Sequence, residues 1–97
     1  MASIEVEKSE NDKGYEFHVT VREGGGVTHH RVTLRHDDYE RLSGGQASPE
    51  ALVTESFRFL LEYEPKEAIL ITFDLPVLRR YFPKYEHEIG RRLSALN

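Results

Sequence analysis

Three histidines stand close together in the first third of the chain: His18, His29 and His30. Imidazole is the side chain most often used to hold a transition metal or to move a proton near neutral pH. The spacing argues against both uses. His29 and His30 are adjacent in an alternating run, so their side chains leave opposite faces of a strand and cannot share one ion. His18 shares the face of His29, but in the register favoured below it lies opposite Arg31, and a guanidinium beside a dication is unfavourable. No His-x-His or His-Glu-x-x-His spacing occurs. With no cysteine there is neither a thiolate site nor a disulfide framework. No metal and no cofactor is expected. His30 falls on the inner face, where burial would make its protonation destabilising; whether it is buried depends on packing that the sequence leaves open.

The nucleophilic and phosphate-binding patterns are missing too. There is no Gly-x-Ser-x-Gly, no Gly-x-Gly-x-x-Gly and no Walker A loop. Glu23-Gly24-Gly25-Gly26 joins two strands instead of opening a helix, so it reads as a turn and not as a phosphate cradle. Asp37 and Asp38 are neighbours, one expected to cap a helix and the other to face solvent. The expectation is a protein that is not an enzyme.

A different chemistry is offered by RRYFPKYEHEIGRR, residues 79–92. Arg79, Arg80 and Lys84 flank Tyr81, Phe82 and Tyr85, and aromatics beside arginine are the types enriched at interface hot spots. The competing reading places Phe82 and Tyr85 in the core with the arginine stems lying over them. These six residues form the best protein-contact candidate in the chain. Net charge agrees that this end is distinct. The whole chain carries −4, but residues 1–74 have eight Lys/Arg against fifteen Asp/Glu while residues 75–97 have five against two. An overall acidic chain disfavours nucleic acid as a partner; the partner expected is a protein, a second copy of this chain included.

The elements that must position these groups follow from period. Ile4 and Val6, then Tyr15, Phe17, Val19 and Val21, then His30, Val32 and Leu34 alternate with polar residues. With Gly24-Gly25 as a two-residue turn, Arg22 opposes Val27, Phe17 opposes Val32 and Tyr15 opposes Leu34, so the apolar sets share a face. Pairing Lys8 with Tyr15 adds the first strand, Val6 against Phe17 and Ile4 against Val19. Helical signals follow. Tyr39 and Leu42 make a short helix closed by Gly44-Gly45, and Ser48-Pro49-Glu50 opens a longer one running to about Glu64. Its stripe is Leu52, Val53, Phe57, Leu60 and Leu61, with Phe59 and Tyr63 on the flank. Residues 66–73 fit a short helix or a fourth strand. Asp74 is placed to cap a turn with Leu75, Leu78 and Phe82, and Tyr85, Ile89, Leu93 and Leu96 form a last stripe interrupted by Gly90. The fold class expected is α+β: a three-stranded antiparallel meander (residues 3–35) with one face covered by C-terminal helices (residues 37–96), in a single domain over 1–97. MASIEVEK lacks the apolar core of a signal peptide and no run is long enough to span a membrane, so a cytoplasmic protein without a membrane partner is expected.

Two resemblances add to this. RVTLRHDDYERL followed by SPEALVTESFRFLLEYE, residues 31–64, resembles the ribbon-helix-helix family of DNA-binding regulators. In that family a strand leads into two helices, and two chains pair their strands into a ribbon in the major groove. The resemblance implies Arg31, Thr33 and Arg35 as base-contacting positions. The other reading of those residues, favoured here, is the solvated face of a sheet with Glu16 near enough to pair with them. The block EPKEAILITFDLPVLRRYFPKYE resembles one shared by short bacterial proteins of no assigned function, and it implies no catalytic or binding residue.

Overall fold

The computed structural model describes residues 2–96. Ser3–Glu10 (β1), Gly14–Glu23 (β2) and Gly26–Arg35 (β3) form the antiparallel meander that alternation demands. Phe17, Val19, Val21, Val32 and Leu34 are buried on one face. Gly24 and Gly25 make the turn at φ of +63° and +81°, a conformation that costs other residues more than glycine. The β2–β3 register is the expected one, with Phe17 opposite Val32 and Tyr15 opposite Leu34.

The first hairpin is offset from expectation. Val6 opposes Val19 and Ile4 opposes Val21. The Asn11 carboxamide oxygen accepts from the N–H groups of Lys13 and Gly14 at 2.9 and 3.1 Å. This tight side-chain turn lets the ladder run on to Glu10 and Tyr15. An even shift moves partners without changing faces, so the apolar side survives it.

The three-stranded, wholly antiparallel sheet is corrected. Thr72–Asp74 (β4) lies parallel to β3, with Val32 beside Phe73, giving a mixed four-stranded sheet in the order β1-β2-β3-β4. Parallel neighbours need a long crossover, which His36–Ser43 (α1) and Pro49–Leu61 (α2) supply. Neither Asp37 nor Asp38 caps α1. The helix leaves β3 directly, Arg35 holds the cap position with no side-chain bond, and both aspartates lie in the first turn, where the helix dipole favours them. α2 starts as expected: Ser48 Oγ accepts from the Ala51 N–H at 3.1 Å and Pro49 is the first helical residue. It stops at Leu61, short of Glu64, and Phe59 is buried with the main stripe instead of lying on its flank.

Residues 66–73 are neither one helix nor one strand. A 3-10 turn at Lys66–Ala68 leads to the short β4. A second such turn at Leu75–Val77 runs into Leu78–Tyr81 (α3), and Tyr85–Ala95 (α4) ends the fold. Asp74 precedes its turn without capping it. Tyr85, Ile89 and Leu93 are buried as the stripe predicts, whereas Leu96 is exposed. The helices cover one face of the sheet, α2 lying against β1 and α4, and α1 against α4. The other face is open. No helix among the described residues is long and apolar enough to cross a membrane.

Candidate functional site

The open sheet face carries Arg31, Thr33 and Arg35, and each already has a partner within the molecule. Arg31 Nη2 lies 3.0 Å from Glu16 Oε1, the pairing that alternation anticipates. Thr33 Oγ1 donates to Asp74 Oδ1 at 2.7 Å, and Arg35 Nε is 3.6 Å from Asp37 Oδ1. Along residues 31–33, β3 has β2 on one side and β4 on the other. His18 and His29 stack on the same face with ring centroids 5.3 Å apart, and Thr20 Oγ1 lies 3.4 Å from His29 Nδ1. Among the described residues no group of three His, Asp or Glu side chains could hold a metal ion.

His30 is on the inner face and buried. Its Nδ1 is 2.8 Å from the Leu70 carbonyl oxygen, which only accepts, so Nδ1 carries the proton. Nε2, 2.9 Å from Thr28 Oγ1, is then the acceptor of that hydroxyl in the neutral ring. Desolvation pushes its pKa below the ordinary histidine value, against the opposing influence of the Leu70 carbonyl. The ring thereby ties β3 to the chain leading into β4.

That tie shapes the more open site. Pro65 breaks the path of α2, Ile69 enters the core, and Leu70 is left 45% exposed. Across from it, burial of Leu75 and Leu78 turns α3 so that Arg79, Arg80 and Tyr81 face outward, Tyr81 at 63% exposure. Between these walls lies an apolar cleft of about 300 Å³ lined by Leu60, Ile69, Leu70, Phe73, Tyr81 and Phe82, among others. A second hollow of about 240 Å³ adjoins it, between Phe59, Tyr63, Tyr81, Phe82 and Lys84. Phe82 is the shared floor: its ring meets Phe59 edge-on at 5.6 Å and Tyr63 at 5.4 Å. The apolar character follows from the sequence order, since Pro83 stops α3 before Phe82 can be drawn fully inside.

Of the six residues singled out at this end of the chain, Tyr81, Phe82 and Lys84 line the hollows, Arg79 and Arg80 are exposed beside them in the chain without lining either, and Tyr85 does not reach the surface. Tyr85 is fully buried, so it is core and not contact surface; its hydroxyl lies 2.7 Å from Ser56 Oγ. Arg79 Nη1 is 3.5 Å from Glu86 Oε2, while Arg80 and Lys84 have no carboxylate within 4.0 Å among the described residues. The facing wall, Leu60, Tyr63, Ile69 and Leu70, is not signalled by any motif. The one available hint is that AILITF is too apolar for a loop yet too short for a second full helix. Chemically, the two hollows present apolar walls, a half-buried Glu64 in the larger and Lys84 in the smaller, with exposed Arg80 next to Tyr81 in the chain; they hold no paired acid and base and no activated nucleophile. Comparison with protein-family models, curated proteins and solved structures returned no match.

Proposed function

We propose that the protein is a non-catalytic domain that works by docking a segment of another protein in the cleft between α3 and the 65–71 connection. The observation that carries this reading is the concentration of exposed apolar groups. Tyr63, Leu70 and Tyr81, 45–63% exposed, all line the two hollows, while Val27, Ile71 and Leu96 are the other large apolar residues of comparable exposure among those described. Clustered exposed apolar surface marks contact sites, whereas scattered residues need no explanation. The volumes fit side chains better than a cofactor, since about 300 Å³ is the lower end of small-molecule pockets.

The DNA-binding reading has less support. A ribbon formed by two chains requires a free β3 edge, and residues 31–33 are paired on both sides. Arg31 and Arg35 are also engaged by carboxylates. Site-specific photo-crosslinking tests the docking reading. With p-benzoylphenylalanine in place of Tyr81, discrete protein adducts are expected in cells, and none with the same group in place of Glu7 on the open sheet face. Equal adducts from both positions, or none from position 81, would refute it.

A further inference from the structure

We infer that the segment docked in this cleft is acidic: a peptide stretch carrying one or two large apolar side chains beside aspartate or glutamate, the apolar groups filling the two hollows and the carboxylates meeting Arg80 and Lys84. The inference rests on the docking reading above and specifies its partner.

Uncompensated charge is the deciding observation. The chain has seventeen Asp/Glu and only thirteen Lys/Arg, so carboxylates are plentiful. Within the described residues every lysine and arginine except Lys13, Arg80 and Lys84 has a carboxylate within 4.0 Å. Two of those three exceptions stand on either side of exposed Tyr81, and Lys84 lines the smaller hollow. The chain outside residues 75–97 carries more Asp/Glu than Lys/Arg, and Lys13 lies in a separate hollow lined also by Glu16 and Asp74, so the surface beside Tyr81 is where an acidic segment meets least repulsion. Rim charges of this kind steer and select, while buried apolar contacts supply most of the affinity.

Glu64 gives the segment a direction. It is half-buried in the wall of the larger hollow, with no cation within 4.0 Å among the described residues. A carboxylate placed deep in that hollow would be repelled, so the acidic part of the segment lies toward Arg80 and Lys84 and the apolar part toward Leu70. A second copy of this chain is the occupant to be distinguished from such a segment, since its Glu7, Asp12, Glu23 and Glu40 are exposed with no cation within 4.0 Å among the described residues.

The test is selection from a displayed library of random dodecapeptides on three folded proteins: wild type, Arg80→Glu/Lys84→Glu, and Leu70→Glu/Tyr81→Glu. All changed side chains are exposed, and circular dichroism checks that each variant keeps its fold. Wild type is expected to enrich peptides with apolar residues next to acidic ones. For a representative acidic peptide, the charge-reversed protein should bind roughly tenfold more weakly, and added salt should weaken wild-type binding far more than binding to that variant. Enrichment of apolar peptides with no acidic bias would overturn the acidic assignment and leave docking standing. If wild type enriches nothing beyond the Leu70→Glu/Tyr81→Glu protein, docking falls as well. A wild-type dimer in sedimentation, lost on Leu70→Glu/Tyr81→Glu, would overturn the assignment in favour of a second copy.

Discussion

Ser56 and Tyr85 join α2 to α4 through one buried contact whose energetics can be worked out from geometry. The Tyr85 hydroxyl is 2.7 Å from Ser56 Oγ, and Ser56 Oγ is 2.8 Å from the Leu52 carbonyl oxygen. The carbonyl can only accept, so the single serine proton goes to it and the phenol is the donor to serine. Burial also pushes the Tyr85 hydroxyl well above the ordinary tyrosine value, so it stays protonated at every pH of interest. Tyr85→Phe removes that donor and leaves Ser56 still bonded to Leu52, a loss of about 1 kcal/mol. Ser56→Ala removes the acceptor and strands a buried O–H, at about 1–3 kcal/mol, offset by roughly 0.5 kcal/mol of better helix propensity. In the double variant neither group is stranded. Adding Tyr85→Phe to Ser56→Ala is therefore expected to recover about 1 kcal/mol, the reverse of its effect on wild type. Urea unfolding of the four proteins at constant m measures this, and about 1 kcal/mol corresponds to ~4–8 °C in Tm at this length. If Tyr85→Phe destabilises the Ser56→Ala protein as much as it does wild type, the two hydroxyls are not energetically coupled and the reasoning fails.

Other expectations follow from single positions. Gly90 lies inside α4 and a Cβ there meets no atom within 4 Å, so Gly90→Ala is expected to stabilise by roughly 0.5–1 kcal/mol in thermal or urea melts. Gly14→Ala should do the opposite. The new Cβ would lie 2.2 Å from the Leu34 carbonyl oxygen and 2.7 Å from Arg35 Cα, both backbone atoms, so a loss at or above the ~3 kcal/mol upper end of ordinary overpacking is expected from denaturation. For His30 the folded pKa lies below the ordinary 6.5, so the unfolded chain takes up its proton first as pH falls. Stability should drop as pH goes below about 6.5 and stop dropping once the folded pKa is passed. His30→Gln should remove this component of the pH profile, and equal slopes for both proteins between pH 7 and 5 would count against it.

The parts legible in the sequence are those governed by local rules. Alternation is a property of neighbouring residues, so the faces of β1, β2 and β3 can be read even where the first hairpin register cannot. Gly24-Gly25, Ser48-Pro49 and the stripe Leu52, Val53, Phe57 and Leu60 carry their structural meaning within a few positions. Those signals suffice for the α+β class and for placing His30 inward and Arg31, Thr33 and Arg35 outward.

What tertiary structure alone decided depends on groups far apart in the chain. β4 is only three residues long and has no stability by itself. It exists because the β3 edge supplies ladder partners and His30 holds the Leu70 carbonyl, forty residues away in sequence. The contact patch shows the same division. Residue types mark Arg79 to Tyr85 as interface material, but only packing separates fully buried Tyr85, bonded to Ser56, from 63% exposed Tyr81. A side chain's type fixes what it can bond to; whether solvent or another helix occupies that position is set by elements that meet only in the folded chain.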